Sequence, residues 1–146
     1  MTVGPDRMRR RALLLFAAAV LAPHAAVAQD PRATTVQRAA REWLAIVDRG
    51  DVEGSWKAAA PRFQQSTPPA AWIEPLRGER EPRGALMQRA VASTSFGESG
   101  PGLPDGGSYA LVRFRTSFAN QSDGGEEVTL EVGPDYAWRV IGYVIL

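Results

Sequence analysis

The chain has 146 residues, which suits one domain with a buried core once a short leader is set aside. It carries 17 basic and 16 acidic residues, no cysteine and a single histidine, His24. This composition excludes disulfides and thiol catalysis. Outside residues 1–28 it also excludes histidine-based triads and zinc sites built on histidine or cysteine.

Residues 1–28 have the pattern of a secretory signal peptide. A basic stretch at residues 8–11 precedes an apolar run at residues 12–22, which is too short for a bilayer that needs roughly 20 helical residues. The small residues Ala26 and Ala28 predict cleavage after Ala28. We therefore expect a periplasmic or secreted protein.

The part of the chain after the leader, residues 29–146, is predicted to be one domain. The leader holds four of the 17 basic and one of the 16 acidic residues, so its removal leaves a net charge of −2. A mildly acidic chain with scattered arginines offers no basic surface for nucleic acid. Cleavage leaves no transmembrane segment, whether translation starts at Met1 or at Met8.

The last third of the chain is predicted to form an antiparallel meander. Apolar and polar residues alternate with a period of two, which is typical of half-buried strands and places Phe114 and Leu130 on the inner face. The final strand is apolar on both faces, as in a strand that helices cover. The strands are placed at residues 108–119, 127–132 and 138–145, with turns at residues 120–125 and 133–135.

The first half of the domain is predicted to be mainly helical. Apolar residues around Trp43 recur at spacings of three and four, and Gly50 is placed to end that helix. The fold class is therefore α+β, with two or three N-terminal helices packed on a bent four-stranded antiparallel sheet. The helices are placed at residues 36–49, 51–63 and 71–76, and the first strand at residues 85–96.

Several short motifs occur in a fixed order along the domain. They are Trp43-Leu44-x-x-Val47-Asp48-x-Gly50, Ser55-Trp56-x-x-Ala59-Ala60, Trp72, Pro82-x-Gly84, Arg89, Pro104-Asp105-Gly106-x-x-Tyr109, Glu127-Val128-Thr129-Leu130 and Trp138-Arg139-Val140-x-Gly142-Tyr143. This set resembles the bacterial exported family known as domain of unknown function 4019, and it covers nearly the whole domain. The family has no established activity, so the resemblance implies none. The order of the elements is also similar to the cone-shaped nuclear-transport-factor-like or cystatin-like folds.

Large apolar side chains are assigned to the core between helices and sheet, since buried aromatics dominate core energetics. The alternative is an aromatic ligand cage. The residues assigned to the core are Trp43, Trp56, Trp72, Phe114, Leu130 and Trp138.

Three polar residues are candidates for ligand binding. Arg89, Tyr109 and Glu127 are placed at the mouth of a cone-shaped pocket, where arginine suits fork-like recognition of an anionic or polar ligand. The alternative is surface cross-strand pairing, in which Arg113 and Arg115 of the outer face pair with Glu127, Thr129 or Glu131. The sequence predicts no metal site and no cofactor.

The absence of a catalytic constellation favours a non-catalytic binding or accessory module, holding an unknown small ligand or a protein partner. An alternative is a cone-fold enzyme, an isomerase, lyase or hydrolase, that uses a buried carboxylate, Glu127 or Asp48, with Tyr109.

A third hypothesis is a homodimer formed through an exposed sheet face. Leu111, Ile141 and Ile145 are the apolar residues assigned to that face.

Overall fold

The structure is a computed structural model that describes residues 29–146, so the predicted leader and its cleavage site lie outside the described residues. The helices are α1 (Arg32–Asp48), α2 (Val52–Ala58), α3 (Pro61–Ser66) and α4 (Pro69–Arg80), and a 3-10 turn, Glu81–Arg83, follows α4. The strands are β1 (Leu86–Gly97), β2 (Tyr109–Phe118), β3 (Gln121–Val132) and β4 (Trp138–Ile145).

The four strands form one antiparallel sheet in the order β1-β2-β3-β4, and all four helices precede it in the chain. Every strand pair contains at least one register shift, and such irregularities increase the local bend and twist of a sheet. The α+β class and the four-stranded antiparallel sheet are therefore confirmed. The likeness to cone-shaped folds stays a prediction.

The core lies between α1 and the inner face of the sheet. Because side chains alternate along a strand, the apolar half of each strand meets the apolar stripe of α1. Phe114 and Leu130 are buried there. The same core contains Val36, Ala40, Trp43, Leu44 and Val47 of α1, and Ala110, Val112, Val128 and Val140 of the sheet.

The helical region differs from the prediction at two of its prolines, Pro61 and Pro75. Pro61 begins a separate helix, α3, because a proline at the first helical position lacks only an N–H that has no intrahelical partner. Pro75 lies inside α4, which continues to Arg80 with Leu76 buried. The described residues therefore form four α-helices, more than the two or three expected. Within residues 29–146 no helix is both long and apolar enough to cross a bilayer.

The turn between β2 and β3 is shorter than predicted. Phe118 pairs with Gln121, so the chain reverses over two residues, and the stretch assigned to a turn belongs to β3. The early start places Glu126 on the inner face beside Val128, where a charged side chain needs partners.

Candidate functional site

A buried carboxylate is the centre of the main polar site. Glu126 has 0% of its surface exposed. It accepts hydrogen bonds from Arg89 Nε at 2.6 Å and Nη2 at 2.9 Å, and from Thr116 Oγ1 at 2.6 Å. The Tyr143 hydroxyl also donates to it. A carboxylate offers about four acceptor positions, so the described side chains satisfy Glu126 fully.

Arg89 joins Glu126 to the end of α1. Its Nη1 donates to Asp48 Oδ2 at 2.7 Å and its Nη2 to Asp48 Oδ1 at 3.0 Å. Asp48 also accepts from Arg80 Nη2 at 3.3 Å. The positive charges of the two guanidinium groups thus balance the negative charges of the two carboxylates. We call the set of Asp48, Arg80, Arg89, Thr116, Glu126 and Tyr143 the buried charge cluster.

Arg80 is the more loosely held arginine of the cluster. Its Nη1 donates to the Gly84 carbonyl at 2.5 Å, and its guanidinium lies 4.4 Å from the centre of the Phe118 ring. Its Nε is buried and has no hydrogen-bond partner among the described residues. The contacts tie the end of α4 to the sheet, with one donor left unpaired.

The cluster fixes the protonation of two of its members. Burial disfavours the charged form of Arg89, but hydrogen bonds to Asp48 and Glu126 outweigh burial and hold the pKa of Arg89 above its ordinary value. Burial, with the adjacent Glu126 charge and hydrogen bond, raises the pKa of Tyr143. Tyr143 therefore stays a hydrogen-bond donor at neutral pH, and Arg89 stays charged.

The structure does not bring the three predicted ligand-binding residues together. Arg89 lies in the buried charge cluster, whereas Glu127 points to the outer face and binds Arg113 at 2.8 Å. The Tyr109 hydroxyl donates to the Pro104 carbonyl at 2.9 Å beneath the β1–β2 loop. The partner of Arg89 on β3 is Glu126, the residue next to the predicted one. Their ligand-binding role stays a prediction.

The two alternative carboxylates of the enzyme hypothesis lie in different parts of the fold. Asp48 belongs to the buried charge cluster, whereas Glu127 lies on the outer face and pairs with Arg113.

The three apolar residues assigned to a dimer face do not all lie on the same face of the sheet. Ile145 pairs with inward-facing Glu126, whereas Leu111 pairs with Thr129 on the outer side.

The tryptophans lie around one end of the core. Trp43 is buried, and its Nε1 donates to the Ser55 carbonyl at 2.9 Å. Trp72 Nε1 donates to Ser55 Oγ at 3.0 Å. Trp56 and Trp138 are half-buried, at α2 and at the start of β4. The Trp43 ring meets the Tyr143 ring edge-on at 5.1 Å, which links the aromatic core to the buried charge cluster.

A groove lies beside the cluster, between α4 and the free edge of β4. It has a volume of about 300 Å³. Trp72, Pro75 and Leu76 supply the helical wall, and Tyr143 and Ile145 the strand wall. Spacings of three and four place the helical residues on one face of α4. We call this space the β4 groove. Glu79 and Val144 complete its lining.

The β4 groove shares one side chain with the buried charge cluster. The Tyr143 hydroxyl is held by Glu126 while its ring lines the groove. Because Glu126 is itself held by Arg89, the wall of the groove has a fixed position. Sequence reasoning missed both Glu126 and this groove. The apolar faces of residues 71–76 and 138–145 indicate that each segment packs against something, but they do not show that the two face each other, and no local pattern indicates that Glu126 is buried.

Residues 39–143 match the family described as "Protein of unknown function (DUF4019)", and the chain belongs to that family. No curated protein matches the chain closely enough to count as a relative. A structure from Catenulispora acidiphila, described at 2.5 Å, is 16% identical to the chain. The alignment covers 78% of this chain and 89% of that one, with a TM-score of 0.49.

Proposed function

We propose that the protein is an exported, non-catalytic binding module that holds an extended segment of a partner polypeptide in the β4 groove. The observation that carries the proposal is a strand edge that has no partner strand among the described residues and faces an apolar groove. Strand addition of this kind obtains affinity from main-chain hydrogen bonds and specificity from pockets for alternate side chains.

The backbone of β4 supports this assignment. β4 is the last strand of the sheet and has β3 on one side only among the described residues. The Leu146 N–H donates to the Gly125 carbonyl at 2.8 Å, towards β3. Backbone groups alternate in direction along an antiparallel strand, so those of Tyr143 and Ile145 point away from β3. Within residues 29–146 no strand lies on that side of β4, so these groups can pair with a guest strand.

In the part of the chain that the structure describes, the two ends of this edge differ. Nearer the start of β4, the Ala60 N–H donates to the Val140 carbonyl at 2.8 Å and covers the edge there. Beyond Val140, α4 stands opposite the strand and the β4 groove separates the two. Three successive residues, 143–145, line the groove, which is what a groove running along a strand edge requires.

The size of the groove favours a peptide over a large ligand. Its volume of about 300 Å³ is at the lower end of the roughly 300–1,000 Å³ typical of small-molecule pockets. The lining is mostly aromatic and aliphatic, which suits apolar side chains of an extended segment. An unpaired backbone edge beside it would stay unsatisfied against a purely apolar ligand.

The buried charge cluster supports a non-catalytic role. A general base needs an acceptor position that is open to substrate. The four hydrogen bonds on Glu126 come from the protein itself, and Asp48 is held by two arginines. The cluster therefore serves as a fixed support for the groove wall. Export is supported by the signal-peptide pattern of residues 1–28.

Selection from a random peptide library displayed on phage tests the proposal. We expect peptides with alternating apolar residues to be enriched. Ile145→Pro should weaken their binding about tenfold or more, because proline removes an outward N–H without breaking a bond to β3. Ile145→Val keeps the N–H and should bind normally. Equal binding to Ile145→Pro, or no enrichment, would contradict the proposal, provided that the variant melts like the parent.

A further inference from the structure

Two arginines of β2 on the outer face of the sheet have different neighbours. Arg113 lies opposite Glu127 of β3, and its Nε donates to that carboxylate at 2.8 Å. Arg115 lies opposite Ala90 of β1 and Gly125 of β3. Neither of these neighbours has a polar side chain, so Arg115 forms no ion pair with any described residue.

Arg115 lines a polar cleft of about 360 Å³ close to the turn between β2 and β3. The small side chain of Ala90 forms part of the lining and leaves room beside the guanidinium. The other polar side chains of the lining carry hydroxyl, amide or carboxylate groups, and they belong to Gln88, Thr116, Ser117, Ser122 and Asp123.

The cleft also contains a charge of the opposite sign. Asp123 lies two residues before Gly125 along β3, and its side chain lines the same space as Arg115. Within residues 29–146 it forms no ion pair with Arg115 or with another basic residue. One cation and one anion therefore face a single cleft, and each lacks a charged partner in the part of the chain described.

We propose that this cleft binds a small polar zwitterion, a free amino acid, with its carboxylate on Arg115 and its ammonium group on Asp123. A guanidinium presents paired N–H donors that match the two oxygens of a carboxylate. A carboxylate accepts charge-assisted hydrogen bonds from an ammonium group. One ligand that carries both groups satisfies both charges of the cleft.

The remaining polar groups favour a hydrophilic amino acid. The hydroxyl groups of Ser117 and Ser122 and the amide of Gln88 can each donate and accept a hydrogen bond. Because Arg115 and Asp123 are both exposed, water weakens each ion pair, and we expect a dissociation constant of about 1 mM.

The cleft shares no lining residue with the β4 groove. It is lined from β1, β2 and the start of β3, whereas the groove lies between α4 and β4. The inference therefore does not rest on the proposed binding of a polypeptide segment.

Titration of isotope-labelled protein with L-serine, followed by the NMR shifts of backbone amides, tests the inference. We expect saturable shifts at the amides of the cleft, among them Ser117, Ser122 and Gly124. N-acetyl-L-serine lacks the ammonium group and L-serinamide lacks the carboxylate. Each should bind about fivefold or more weakly, because one of the two ion pairs is lost.

Substitutions separate the two charges. Arg115→Gln and Asp123→Asn should each weaken the binding of L-serine about fivefold or more. Ala90→Glu places a carboxylate opposite Arg115 and should have the same effect while the arginine is kept. Arg38→Gln is the matched control, since it removes one exposed positive charge from α1 and should bind normally. All four substitutions are at exposed positions and should melt like the parent.

Three results would overturn the inference. The first is a parent protein whose amide shifts do not saturate with L-serine at tens of millimolar. The second is binding to Arg115→Gln or Ala90→Glu that equals binding to the parent. The third is equal binding of N-acetyl-L-serine, which would identify a site for anions and exclude the role given to Asp123.

Discussion

Arg89 and Glu126 are joined by two hydrogen bonds, of 2.6 and 2.9 Å, although they are 37 residues apart in the chain and Glu126 has no exposed surface. Through Arg89 the pair also reaches Asp48 on α1. One buried contact thus fixes the end of α1 against β1 and β3. Removing one partner of such a pair leaves an uncompensated buried charge.

We predict that Glu126→Gln destabilises the fold. The substitution leaves Arg89 with one carboxylate, so the free energy of unfolding should fall by about 3–5 kcal/mol. Urea denaturation measures this loss. Glu127→Gln is the matched control, since its pair with Arg113 is partly exposed and such a pair is worth about 1 kcal/mol or less. Equal losses in the two variants would contradict the placement of Glu126.

Tyr143 should make the protein less stable at alkaline pH. Burial and the adjacent Glu126 raise its pKa in the fold, whereas an unfolded tyrosine ionises near pH 10. The contribution of protonated Tyr143 to the free energy of unfolding is complete below about pH 10. It is lost as the pH rises towards the pKa of Tyr143 in the fold, because the tyrosine of the unfolded chain releases its proton first. Urea midpoints measured at rising pH should fall more steeply for the parent than for Tyr143→Phe. Parallel curves would contradict the prediction.

Trp43 and Trp138 should differ in their contribution to stability. Trp43 is 4% exposed and its indole N–H is bonded, so Trp43→Ala should lower the free energy of unfolding by about 3–5 kcal/mol. Trp138 is half-buried against Phe96, so Trp138→Ala should lower it less. Thermal and urea unfolding of both variants checks the order. A larger loss at Trp138 would contradict it.

Export and cleavage are tested on the full chain expressed in a bacterial host. We expect a periplasmic product that begins at Gln29, found by intact mass and N-terminal sequencing. Ala28→Phe should block cleavage, because the processing site requires a small residue. Uncleaved parent protein in the cytoplasm would contradict the prediction.

The strands were predictable where the alternation of apolar and polar residues matches the alternation of buried and exposed side chains. Alternation alone identified the inner face of β2, because every second residue from Ala110 to Phe118 is buried. The short helices were less predictable, since proline begins α3 and is tolerated within α4. Tertiary packing of Leu76 outweighs the local effect of Pro75.

The candidate site was not predictable to the same extent. Glu126 follows a stretch of turn-forming residues, so it reads locally as a surface residue. Its burial depends on Arg89 and Tyr143, which lie 37 and 17 residues away. The β4 groove likewise depends on how α4 stands relative to β4. Neither relationship leaves a local pattern, which is why sequence reasoning selected the neighbouring Glu127.

Backbone amide hydrogen exchange with a selected peptide tests the central claim most directly. The account predicts that the amides of Tyr143 and Ile145 exchange more slowly when peptide is bound, because they gain main-chain partners. The Val144 amide points towards β3 and should change little. Unchanged exchange at Tyr143 and Ile145 in the presence of bound peptide would place the binding site elsewhere and contradict the account.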